Sequence, residues 1–131
     1  MFKFNSCTDK KTANLLNPVV LAFVGDAVYT LFVREKLAFG SDAKAGALNK
    51  LSAKTVSAKA QAEFIEKLLP IFTEEELAVF KRARNSKKAT KAKNATVSEY
   101  NASTGFEAVI GYLYITGNYE RLNYLLNYEK E

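Results

Sequence analysis

The sequence contains no histidine and only one cysteine, Cys7, in 131 residues. These absences exclude imidazole general bases, histidine-dependent triads, disulfide frameworks and cysteine-rich zinc sites. Hydrolytic chemistry in this chain has to run on carboxylates, hydroxyls, lysines or a hard metal ion. Acidic residues are missing from a long internal stretch, with none between Glu76 and Glu99. Alternating strand patterns, Asn-Gly hairpins and internal repeats are also absent. No apolar signal-like segment opens the chain, and the apolar run at 18–33 is too short and too interrupted to span a bilayer. The expectation is a soluble, cytoplasmic, all-α protein with no membrane partner. It should fold as one domain over 1–131, with 1–14 open to flexibility and 85–97 as a basic loop.

What is present is a 48% hydrophobic composition, enough for one core, with a net charge of +5. Asn17-Pro18 supplies an N-cap and a first-turn proline, and Gly40 a terminator, which predicts a helix of roughly 20 residues. It is apolar nearly all round and should therefore lie centrally. A second helical stretch is expected from about Asp42 to Leu69. It places Val56, Ala60, Phe64 and Leu68 on one face and Lys54, Lys59 and Gln61 on the other. Thr73 and Glu76 have capping-box spacing and should open a helix ending near Arg84. Phe106, Val109, Ile110, Leu113 and Tyr114 mark a helix over 98–116, and Gly117-Asn118 separates it from a short last one.

Two residues stand against this pattern. PVVLAFVGDAVYTLFV, residues 18–33, has one ionisable side chain, Asp26, at its centre; STGFEAVIGYLYIT, residues 103–116, has one acid, Glu107. A buried lone carboxylate has to be protonated, paired with a cation or bound to a metal. Each acid has a glycine on its helix, Gly25 beside Asp26 and Gly111 one turn beyond Glu107. Glycine inside a helix costs about 1 kcal/mol relative to alanine, so close approach of a second helix is expected. Two such helices would cross with Asp26 and Glu107 facing each other. A divalent cation such as Mg²⁺ relieves that repulsion, and a structural pair sharing one proton has the same pattern.

The compositional outlier is KRARNSKKATKAK, residues 81–93, in which seven of thirteen residues are basic: Lys81, Arg82, Arg84, Lys87, Lys88, Lys91 and Lys93. With Asn85, Ser86 and Thr90 interleaved, this composition suits phosphate oxygens and sugar hydroxyls, although most charge runs are solvated loops. Only Phe80 and Tyr100 flank it, which favours a duplex backbone over stacked single-stranded bases.

NPVVLAFVGDAVY resembles the signature helix of the ribonuclease III endonuclease domain, and TGFEAVIGYLY resembles that family's second acidic helix. VSAKAQAEF, FTEEELAVFKRARNSK, STGFEAVIGYLY and YERL, in this order, are similar to the branch that consists of the catalytic domain alone, Mini-ribonuclease III. The resemblance covers roughly residues 15–126. It implies an all-helical homodimer that cuts double-stranded RNA with Mg²⁺ and matures large-subunit (23S) ribosomal RNA. It implies Asp26 and Glu107 as catalytic metal ligands and Phe23 as a dimer-interface residue, and the match at VSAKAQAEF makes Lys59 and Gln61 weaker candidates for the RNA surface. Two further acids of the wider family are replaced here by Ala22 and Thr104, so one protein-bound ion per site is expected. A structured-RNA-binding protein of the same fold that does not cleave is the alternative.

Overall fold

The computed structural model describes residues 6–40, 44–88 and 95–129, and among these only helices and short connections occur. In chain order the helices are α1 (Lys10–Leu15), α2 (Pro18–Gly40), α3 (Ala45–Thr55), α4 (Ala58–Leu68), α5 (Glu74–Asn85), α6 (Val97–Ile115) and α7 (Tyr119–Leu126). One 3₁₀ turn, Leu69–Ile71, follows α4. The all-α expectation holds.

Local chemistry explains where the helices begin. Asn17 Oδ1 accepts the Val19 N–H at 2.8 Å, and Pro18 takes the first position of α2. Thr73 and Glu76 form a reciprocal capping box at α5. Thr96 and Glu99 form a second one at α6, a spacing the sequence also carries and which starts that helix at Val97. Asp9 accepts the Thr12 N–H at 2.7 Å and opens α1, so residues 10–15 of the N-terminal lead are helical, with Ala13 buried.

The stretch expected as one helix from 42 to 69 is two helices, and the break lies at Val56-Ser57. Ser57 is the N-cap of α4 and its side chain accepts the Ala60 N–H. A hydroxyl that takes over a backbone rung competes with helix continuation, which is the physical reason for the break. Restarting there fixes the inner face of α4 as Gln61, Ile65 and Leu68; of the predicted stripe Leu68 is buried, and Ala60 and Phe64 are partly buried beside it.

The most extensive helix contact is between α2 and α6, with α5 and α4 packed against other sides of α6. α6 is the central helix, buried along ten of its 19 residues. α2 is not enclosed as expected. Leu21, Ala22, Gly25, Tyr29 and Val33 face inward, whereas Phe23 is 79% and Leu31 62% exposed. α7 is tied to the start of α5 by Arg121, which donates to both oxygens of the buried Glu76 at 2.8 Å and to the Ile71 carbonyl. That pairing accounts for the YERL segment.

Candidate active site

The α2–α6 crossing is a backbone-to-backbone contact. A Cβ added at Gly25 would lie 1.7 Å from the Glu107 carbonyl oxygen, and one at Gly111 would lie 2.0 Å from that of Leu21. Only two glycines let the helix axes approach this closely. Asp26 follows Gly25 directly, and Glu107 is the residue whose carbonyl Gly25 touches. The crossing therefore brings the two acids together.

Their carboxyl groups lie close enough for Asp26 to act on Glu107. Burial, followed by the hydrogen bond and like charge of Asp26, pushes the Glu107 carboxyl up to about 9. The burial is unequal. Asp26 is exposed on the surface of the chain and Glu107 is partly buried, so the expectation of a carboxylate sunk at the centre of α2 is corrected. The apolar neighbours of Asp26 along the sequence point around the helix in all directions, and the side that carries Asp26 is the open one. Two carboxyl groups this close are stable when they share a proton or a cation, and both are hard oxygen ligands.

The two positions that bear acids elsewhere in the resembling family offer no ligand. Ala22 is buried, and Thr104, also buried, donates its hydroxyl to the Tyr100 carbonyl at 2.9 Å. No cluster of three metal-ligating side chains occurs among the described residues.

Gln61 is the main correction among the predicted residues. It is 1% exposed and lies beside Glu107, away from any surface shared with Lys59. Its Nε2 donates to Glu107 Oε2 at 3.4 Å and to the Val56 carbonyl at 3.1 Å, and its Oε1 accepts from Ser103 Oγ at 2.5 Å. Tyr29, three residues after Asp26, is buried with its ring edge-on to Phe106 at 5.1 Å. Its phenol is raised by burial and by the charge of Glu107. Ser103 and Tyr29 were not singled out from the sequence. Their spacing, four before Glu107 and three after Asp26, is the signal that marks them.

The basic residues are dispersed more than the sequence implies. Lys59, Arg84 and Asn85 line an open cleft of about 840 Å³ between α4, α5 and the start of α6, but Glu63, Glu66 and Glu99 line it too. Arg84 lies over the Phe80 ring, 5.6 Å from its centroid, and Arg82 donates to the Asn14 carbonyl at 3.2 Å. Lys81 and Lys87 are exposed. Lys88 Nζ donates to the carbonyls of Arg84 and Ser86 at 2.8 and 2.7 Å, so its ammonium caps the end of α5. Lys91 and Lys93 lie outside the described residues. The exposed Phe23 stands three residues before Asp26 on α2.

Residues 19–118 match the family model for the ribonuclease III domain. Among curated proteins, the chain is similar to Mini-ribonuclease 3 of Streptococcus pneumoniae, 48% identical over 117 residues, covering 88% of this chain and 91% of that one. It is 50% identical over 109 residues to Mini-ribonuclease 3 of Brevibacillus brevis, covering 83% and 81%. Among solved structures, protein FN1578 from Fusobacterium nucleatum superposes with a TM-score of 0.77 at 36% identity, covering 85% of this chain and 90% of that one.

Proposed function

From the premise that this chain belongs to the ribonuclease III family, we propose that it is a Mg²⁺-dependent endoribonuclease that cuts double-stranded RNA as a cytoplasmic homodimer. Its assignment to maturation of 23S ribosomal RNA follows the branch that the sequence resembles. The observation that carries the reading is the Gly25–Gly111 crossing, which brings Asp26 and Glu107 close together.

Asp26 and Glu107 would hold the ion. Two carboxylates suit Mg²⁺, which retains several waters when few protein ligands bind it. When bound, the ion supplies charge neutralisation at a phosphodiester and a water of lowered pKa. Asp26, being exposed, presents its carboxylate toward the substrate side, while Glu107 is anchored from behind by Gln61. Lys59, Lys81, Arg82, Arg84, Asn85, Lys87, Lys91 and Lys93 supply phosphate and sugar contacts. Recognition rests on duplex shape more than on base edges. Val20, Phe23 and Leu31, exposed along one side of α2, support a second copy of the chain as partner, two sites then facing the two strands.

The test is incubation with an RNA duplex, a single-stranded RNA and a DNA duplex, each with Mg²⁺ and with EDTA. Cleavage of the RNA duplex alone, and only with Mg²⁺, is expected. Asp26→Asn should abolish it while duplex binding in EDTA persists. The ligand-free positions at Ala22 and Thr104 favour the alternative of binding without cleavage, and an intact duplex in the Mg²⁺ arm with retained binding would establish that alternative.

A further inference from the structure

The break between α3 and α4 leaves two backbone groups without helical partners. The rung that would join the Val56 carbonyl to the Ala60 N–H is missing, and two side chains replace it. Ser57 Oγ accepts the Ala60 N–H at 3.2 Å, and Gln61 Nε2 donates to the Val56 carbonyl at 3.1 Å. A buried amide has one further N–H to satisfy, and here it points at Glu107 Oε2.

Which end of the amide faces Glu107 is decided by the Val56 carbonyl. That carbonyl only accepts, so a flipped amide would turn its oxygen against it and against the Glu107 carboxyl, whereas the Ser103 hydroxyl, which can donate or accept, donates to Gln61 Oε1 and fixes where the amide sits. Ser103 and Glu107 are one turn apart on α6, so the clamp and the acid ride on the same rigid element.

We propose that Gln61 is a positioning residue for Glu107: with its amide oriented by the Val56 carbonyl and anchored by Ser103, it holds Oε2 and leaves the other carboxylate oxygen to Asp26 and the metal ion. This rests on the reading of Asp26 and Glu107 as the metal-binding pair. Gln61 touches neither substrate nor ion in this role. It acts as an outer partner that fixes the orientation of a ligand, an arrangement whose loss typically weakens metal affinity or activity by 10- to 100-fold.

The test uses the full chain and Mn²⁺ as the probe ion, with free Mn²⁺ counted by electron paramagnetic resonance. Gln61→Leu keeps the volume and removes the donor, and should weaken Mn²⁺ affinity roughly tenfold and lower kcat in a similar range. Duplex affinity in EDTA should stay within about twofold, because the phosphate contacts are untouched. Ser103→Ala leaves the Gln61–Val56 bond, and with it the orientation of the amide, in place but removes the anchor that fixes its position beside Glu107, so it should weaken Mn²⁺ binding while the thermal midpoint changes little. It also stands in for Gln61→Leu should that variant fail to fold. A purely structural role predicts a lowered midpoint with unchanged Mn²⁺ affinity, and that result overturns the proposal. Asp26→Asn is measured alongside. If it binds Mn²⁺ as the parent does, the metal-site reading itself is wrong. If it loses Mn²⁺ while Gln61→Leu and Ser103→Ala retain it, only the role of Gln61 is.

Discussion

Glu107 carries the carboxyl that folding moves furthest from its ordinary range among the resolved shifts of the acids, up to about 9 from 4.5. The consequence for stability follows from proton linkage. Above pH 4.5 the unfolded chain releases this proton and the ion-free native chain keeps it, so the native state loses ground as the pH rises toward 9 and the loss levels off beyond. Glu107→Gln, which keeps the hydrogen bonding without the charge, should therefore be more stable than the parent at pH 8 without divalent ions. The difference should vanish near pH 4. Thermal melts in EDTA across that range check this, and an equal difference at both ends contradicts it. Gln61 belongs to the same account, because its donated hydrogen bond opposes the upward push on Glu107. Its exposure could not be read from the sequence. Lys54, Lys59 and Gln61 read together as a solvated face until the phase of the helix is known, and that phase was reset by Ser57.

The helices themselves were largely legible. Asn17-Pro18 and the Thr73–Glu76 box act within a few residues of the chain, so the start of α2 and of α5 follow from local bonds. The crossing of α2 with α6 was also anticipated from Gly25 and Gly111, because a glycine in the middle of an apolar helix points to a neighbour too close for a side chain. Gly25→Ala tests the geometry. Helix propensity favours alanine by about 1 kcal/mol, but a Cβ 1.7 Å from the Glu107 carbonyl cannot be accommodated without moving a backbone. Overpacking of this kind costs about 1–3 kcal/mol or more. Urea denaturation should show net destabilisation, and cleavage should fall further than stability, since the displaced backbone carries Glu107. A more stable Gly25→Ala protein with full activity would falsify the backbone-contact crossing.

At the level of the assembled chain, α2 is the element that the composition misplaces. An all-apolar helix reads as buried on every side, yet the single chain buries one side and leaves Phe23, Leu31 and Val20 open, next to the exposed Asp26. A second copy covering that side would reconcile composition with structure and would place Asp26 close to the dimer axis. Phe23→Asp should then shift the protein toward monomer in sedimentation velocity and reduce duplex cleavage by at least about tenfold, by analogy with central interface anchors worth 2 kcal/mol or more. A monomeric parent of full activity would remove the homodimer from the reading. The basic residues divide in the same way: Lys81 and Lys87 stay exposed, whereas Lys88 is used to cap α5.

The amino-acid sequence alone determined the helical class, the chief helix starts, and the two acid-and-glycine helices that meet, because capping, propensity and close-approach glycines are encoded within a turn or two of chain. Tertiary structure alone decided which face of α2 is covered, that Glu107 and not Asp26 is the more buried acid, and that Gln61 reaches Glu107 from a neighbouring helix. Burial is a property of what lies opposite a residue. A run that is apolar all the way round carries no information about which side the rest of the molecule will occupy.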